Sequence, residues 1–168
     1  MTAKAQEIIR TLSLQPHPEG GWYREIYRSP TRVGALKGQR SALTTIYYLL
    51  ERNQVGRWHV VDADEVWHFY GGSPLELLAY EPLSADLKRH VLSNPAVGFG
   101  PAGGEREREP VAVIGSGVWQ ASRSLGDFSL VGCSVAPGFD FADFRFVSDL
   151  PGHGPHFERG LKQWRALL

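Results

Sequence analysis

The chain is poor in sulfur: its 168 residues include one cysteine, Cys133, and one methionine, Met1. A single thiol excludes an intrachain disulfide framework and a cysteine-based zinc cluster. It suits a reducing compartment, so a cytoplasmic location is expected. An excess of charge of either sign is also lacking, with 18 Lys and Arg against 18 Asp and Glu. Without a basic stripe there is no electrostatic footprint for nucleic acid, and a small neutral or mixed-polarity ligand is the expected partner. Apolar runs are short, so no membrane span is expected. The opening Met-Thr-Ala-Lys-Ala-Gln-Glu has no apolar core of the signal-peptide kind. The length predicts one domain over residues 1–168 with a core of ordinary size.

Helical periodicity is confined to the ends. Ala5, Ile8, Ile9 and Leu12 share a helical face over residues 3–13, which Pro16 terminates. Phe157, Leu161, Trp164 and Leu168 repeat the spacing and allow a C-terminal helix, weakened by Gly160. Between them, short runs rich in Tyr, Val, Ile, Trp and Phe alternate with Gly, Pro, Asp and Asn. Strands are predicted at 22–28, 44–50, 58–61, 65–70, 75–80, 88–92, 111–114, 118–122, 128–136 and 144–147. Many short strands with no helices between them predict an all-β antiparallel sandwich or barrel. The charged stretch Ala102–Glu109 reads as a solvated loop or hairpin end.

The densest chemistry lies between Trp58 and Gly72, Trp-His-Val-Val-Asp-Ala-Asp-Glu-Val-Trp-His-Phe-Tyr-Gly-Gly. His59 and Glu65 flank an acidic turn. Both side-chain types can ligate a metal or move protons. Strand alternation puts Glu65, Trp67 and Phe69 on one face and Val66, His68 and Tyr70 on the other. If Glu65 faces a cavity, Trp67 and Phe69 line it and His68 is structural.

This segment resembles the first motif of the cupin superfamily, with His59, Glu65 and Gly72 in the first-histidine, glutamate and glycine positions and Val61 in that of the second histidine. Gly115-Ser-Gly117-Val-Trp-Gln120 resembles the second motif, with Gln120 in the place of its histidine. Further resemblance to a subfamily of small cupins runs, in order, through Pro-His-Pro-Glu-Gly-Gly-Trp-Tyr-Arg-Glu (16–25), Thr-Thr-Ile-Tyr-Tyr-Leu-Leu (44–50), Asp-Ala-Asp-Glu-Val-Trp-His-Phe-Tyr (62–70), Gly-Val-Trp-Gln-Ala (117–121) and Val-Gly-Cys-Ser-Val-Ala-Pro-Gly-Phe-Asp-Phe-Ala-Asp-Phe (131–144). The resemblance implies a double-stranded β-helix, the cupin jelly-roll barrel, pairing as a homodimer. It also implies a pocket like that of the nucleotide-sugar epimerase of the rhamnose pathway, which uses a histidine base and no metal. Two of the four usual metal ligands are replaced, and valine cannot bind a metal. No cofactor is therefore expected; a divalent metal, if bound, falls to His59, Glu65 and Gln120.

On the epimerase-like reading His59 is a general base, Glu65 holds its tautomer, and Tyr47 can return the proton; the competing readings are a strand-end histidine and a core tyrosine. Arg24, Thr45, Trp67, Phe69, Gln120 and Asp140 are the candidate ligand-binding residues. Gln120 is expected to face His59 across the barrel. Only one of Arg24 and Glu25 can see the pocket, and Arg40 reads as a rim residue or a surface ion pair. Asp140 and Asp143 lie three apart between aromatics, one suited to capping a turn and the other to reaching the mouth. Cys133 reads as a buried inert thiol, and His153, His156 and Glu158 as a weak metal cluster. Gly20-Gly21 is no phosphate loop, since it lacks the lysine and the following helix. Three functions stay open: an epimerase, isomerase or cyclase acting on a small polar carbonyl compound, a non-catalytic binder or sensor, and a metal-dependent oxygenase.

Overall fold

A computed structural model of the chain describes residues 2–94 and 108–149 together with Leu167. The cluster His153, His156 and Glu158, most of the charged stretch 102–109 and the C-terminal periodic segment lie outside the described residues. The helix α1 spans Ala3–Thr11 and is capped by the Thr2 side chain, which accepts from the Ala5 amide at 3.3 Å. Only Ala5 of its apolar face is buried.

The strands follow as β1 (Gln15–Pro16), β2 (Trp22–Arg28), β3 (Arg32–Ala35), β4 (Gly38–Ser41), β5 (Thr44–Glu51), β6 (Val55–Val61) and β7 (Asp64–Gly72). Next come β8 (Leu75–Glu81), β9 (Asp86–Leu92), β10 (Arg108–Glu109), β11 (Val111–Ile114), β12 (Trp119–Ser124), β13 (Phe128–Ala136) and β14 (Phe144–Phe146). They form two six-stranded sheets, β1-β2-β5-β13-β7-β11 and β10-β9-β8-β12-β6-β14, with β3 and β4 as a separate hairpin. Pairing is antiparallel except between β9 and β10. This is the expected all-β jelly roll. Each predicted strand is present, and the β3–β4 hairpin and the short β1 and β10 are additional.

Side-chain alternation explains how the layers pack. Tyr48 and Leu50, Trp67, Val131 and Cys133 point from the first sheet onto Leu75, Leu77 and Leu92 of the second, and this contact is the core between the sheets. The second sheet is covered on its other face as well, where Trp58, Val60, Leu78, Tyr80 and Trp119 pack with Val147 and Leu167. A strand buried on both faces needs no polar alternation, and β8, Leu-Glu-Leu-Leu-Ala-Tyr-Glu, is buried from Leu75 through Tyr80. Its one carboxylate in that run, Glu76, is fully buried against Arg89 and Arg123. No helix among the described residues is long and apolar enough to cross a membrane.

Candidate functional site

Toward one end of the barrel the inward side chains leave a cavity of about 370 Å³. Its walls come from Thr44 and Ile46 of β5, His59 and Val61 of β6, Glu65 of β7, and Cys133 and Val135 of β13. Tyr23, Glu25 and Arg28 of β2, the turn carrying His17 and Glu19, and the loop Phe139–Phe144 complete it.

His59 is buried with its ring stacked on Phe144, centroids 5.1 Å apart. Its Nδ1 lies 2.7 Å from the Arg57 carbonyl oxygen and 3.0 Å from Glu19 Oε2. A carbonyl oxygen only accepts, so Nδ1 carries the proton and Nε2 keeps its lone pair. Burial lowers the His59 pKa, with Glu65 and the Arg57 carbonyl opposing. The ring is thus a neutral imidazole whose basic nitrogen has no hydrogen-bond partner among the described residues.

His17 has the opposite tautomer. The Glu19 amide donates to His17 Nδ1 at 3.3 Å, so that nitrogen accepts and Nε2 bears the proton. Burial, with the neighbouring His59, pushes its pKa down to about 4. Edge contacts with Tyr23 and Tyr48, at 4.5 and 5.7 Å, fix the ring. Glu19 lies between the two histidines, and burial raises its pKa to about 8 against the opposing effects of Tyr48 and Arg57. The Tyr48 hydroxyl gives its own proton to the Gly20 carbonyl at 2.9 Å.

Glu65 is held from behind. The Trp67 indole donates to Gln120 Oε1 at 3.1 Å, which orients the amide, and Gln120 Nε2 donates to Glu65 Oε2 at 2.5 Å. Cys133 bonds the same carboxyl group. Burial raises the Glu65 pKa and moves the Cys133 thiol well above its ordinary value. Cys133 is thus a neutral, buried donor on the cavity wall.

Of the residues singled out in the sequence, His59, Glu65 and Asp140 line the cavity. Asp140 also caps the turn Phe141–Asp143 through the Ala142 amide at 2.9 Å. Gln120 lies beside His59 on the adjacent strand, in direct register, rather than across the barrel. Trp67 and Phe69 share Glu65's face but pack into the core below the cavity. Tyr47, Thr45 and Arg24 belong to the opposite face of the first sheet. Tyr47 packs there on Tyr70 and under Arg24, and Thr45 bonds Ser134 at 2.9 Å. Register explains it, because Thr44 and Ile46 point inward and their neighbours cannot. The carboxyl group beside His59 Nδ1 is Glu19, not Glu65. Arg40 is buried and paired in two places with Asp143, at 2.7 and 2.9 Å, anchoring the loop over the mouth. His17, Glu19 and Tyr23 were not singled out by the sequence, although all three sit in the run 16–25.

The four metal-ligand positions of the cupin pattern do not form an ion site. Val61 lines the wall without a donor atom, and the Gln120 carbonyl oxygen is engaged by Trp67. Among the described residues no three His, Cys, Asp or Glu side chains are placed to share one ion. The donor set does not fit a transition metal, and no step is derived through one.

A hypothetical protein from Leishmania major has a similar structure, with a TM-score of 0.72 and 29% identity, covering 95% of this chain and 98% of that one. A protein from Shewanella oneidensis is similar at TM-score 0.70 and 37% identity, covering 84% and 83%. Oxalate decarboxylase from Bacillus subtilis shares the fold at TM-score 0.57 and 12% identity, over 83% of this chain and 31% of that one. No curated protein matches the chain. Residues 6–147 match the family described as Cupin superfamily (DUF985), and the chain belongs to that cupin family.

Proposed function

We propose that this protein is a metal-independent proton-transfer enzyme of the epimerase or isomerase kind, acting on a small polar carbonyl compound. One observation carries the reading: a single cavity is lined by a histidine whose Nε2 lone pair has no partner among the described residues, a second histidine of the opposite tautomer, and a buried carboxyl group whose pKa burial raises to about 8. His59 Nε2 takes the proton from the carbon beside the carbonyl. The electron pair moves onto the carbonyl oxygen, which accepts from His17 Nε2–H as charge develops. The imidazolium that forms is stabilised by Glu65. Returning the proton to the other face gives an epimer, and returning it to the neighbouring carbon gives an isomer. In this mechanism the Glu19 O–H, rather than Tyr47, supplies that proton.

The test follows C–H to C–D exchange by NMR in D₂O across a panel of aldoses, ketoses and amino sugars. Exchange by the wild type should fall by about 100-fold in His59→Asn. Exchange on no member, or exchange that His59→Asn leaves intact, sinks the reading. Saturable binding without exchange favours the binder instead.

The homodimer belongs to the same proposal. Tyr27, Tyr70, Val111 and Val113 are exposed on the outer face of the first sheet, and they suit pairing with a second copy. Native mass spectrometry should then read twice the 18.7 kDa chain mass, and a monomer at micromolar concentration counts against it.

A further inference from the structure

We infer that the ligand of this cavity carries a cationic amine or ammonium group, held against Glu65 with Asp140 at the mouth. The inference rests on the proposed proton-transfer reading and names its substrate class, an amino-carbonyl compound.

The charge of the lining is lopsided. Beside the protonated Glu19, the carboxyl groups of Glu25, Glu65 and Asp140 face the cavity, against a single guanidinium among the described residues, Arg28. Arg28 is already occupied: Nε and Nη2 donate to the two oxygens of Glu25 at 2.9 and 2.6 Å, and Nη1 donates to the Phe139 carbonyl at 3.1 Å. A phosphate or carboxylate entering here finds no free cation among the described lining residues and meets Glu65 and Asp140, the latter 3.8 Å from Arg40 Nε. The cavity therefore disfavours the nucleotide sugars suggested by the epimerase resemblance.

Glu65 supplies the positive half of the case. It is 7% exposed, and its hydrogen bonds come from Gln120 and Cys133, both neutral. Among the described residues no Lys or Arg lies within ion-pairing distance of it. A buried carboxylate with neutral donors alone is under-compensated, and a ligand ammonium supplies the missing charge. His59 is 3% exposed and lines the same cavity, and its Nε2 is unpartnered among the described residues. The cavity thus offers a second acceptor for the ligand beside the carboxylate. At the mouth Phe139, Phe141 and Phe144 flank Asp140, with ring centroids 5.0 to 6.3 Å apart. Aromatic rings beside a carboxylate are the surroundings an alkylammonium prefers. An ammonium on the substrate also acidifies the C–H that His59 removes.

The test is isothermal titration of the full chain with D-glucosamine, D-glucose and D-glucuronate, which share a ring and differ in charge, and with tetramethylammonium as the minimal cation. Glucosamine should bind at least about tenfold more tightly than glucose, and glucuronate should give no heat. Glu65→Gln should erase the tenfold preference. Should that variant misfold, Asp140→Asn at the exposed mouth should still reduce it. Equal or tighter binding of glucose or glucuronate overturns the inference, as does failure of both cations to saturate at about 10 mM. Binding is read without turnover. A preference for the cation with no deuterium exchange sinks only the enzyme reading, and exchange on neutral sugars without that preference sinks only this inference.

Discussion

Gly20→Ala is expected to lower the melting temperature by about 12 °C, whereas Gly38→Ala lowers it by about 3 °C. Both glycines have positive φ, +113° and +103°, so both substitutions incur the backbone cost of a conformation that L side chains rarely adopt. A Cβ on Gly38 meets nothing within 4 Å, but one on Gly20 would lie 2.1 Å from the Val55 carbonyl oxygen. Backbone cannot yield as a side-chain tip can. The added cost of about 3 kcal/mol falls on the turn from His17 to Gly21. That turn is closed by His17 and Gly20 amide bonds and fastened to β6 by the Arg57 amide on the Glu19 carbonyl at 3.0 Å. Thermal unfolding of the two variants separates the steric part from the backbone part, and equal losses would remove the close approach as its cause. The same displacement moves Glu19 off His59 Nδ1, so ligand binding should weaken in Gly20→Ala even where it folds.

This turn marks the boundary of what the sequence could convey. The strands were legible because β-branched and aromatic runs between Gly, Pro and Asp breaks report local geometry. Glu65 and His59 were legible because a strand–turn–strand unit keeps both within a few residues. Alternation correctly placed Trp67 and Phe69 on Glu65's face, but a face runs the length of a strand and the cavity occupies only one end of it. Tyr47 and Thr45 were assigned to the site when Thr44 and Ile46 belong there. A register is fixed by the partner strand, and periodicity alone cannot decide which half of an alternating strand points inward. His17 and Glu19 reach the cavity because β1 pairs with β2 and the intervening turn folds back onto β6. Those are contacts of long sequence separation, which no local pattern encodes. The run 16–25 nonetheless held the signal: a histidine and a glutamate on a Gly-Gly turn ahead of a strand.

Wild-type stability should fall between pH 6.5 and 8, and Glu19→Gln should remove the larger part of that fall. The Glu19 carboxyl group has an ordinary value of 4.5 and a folded value of about 8. Below pH 4.5 folded and unfolded chains both hold the proton, and the contribution is fully present. Between those values the unfolded chain releases its proton while the folded chain keeps it, so stability drops by about 1.4 kcal/mol per pH unit. His17 acts in the opposite sense. Its folded value of about 4 lies below the ordinary 6.5, so its contribution is present above pH 6.5 and lost as pH falls to 4. The two slopes offset each other from pH 4.5 to 6.5. Above 6.5 the histidines are neutral in both states and no longer offset the Glu19 slope, which amounts to about 2 kcal/mol by pH 8. Glu65 is raised as well and adds in the same direction, so the difference between wild type and variant isolates Glu19. Urea unfolding at pH 6.5, 7.25 and 8 reads the effect, and Glu19→Gln should be the more stable protein at pH 8. Its amide oxygen still accepts from His59 Nδ1–H, which preserves the tautomer and removes only the acidic proton. Stability that is flat or rising over this window would mean that Glu19 is ionised. Its charge would then draw a proton onto His59, and the lone pair on Nε2 would no longer be available as a base.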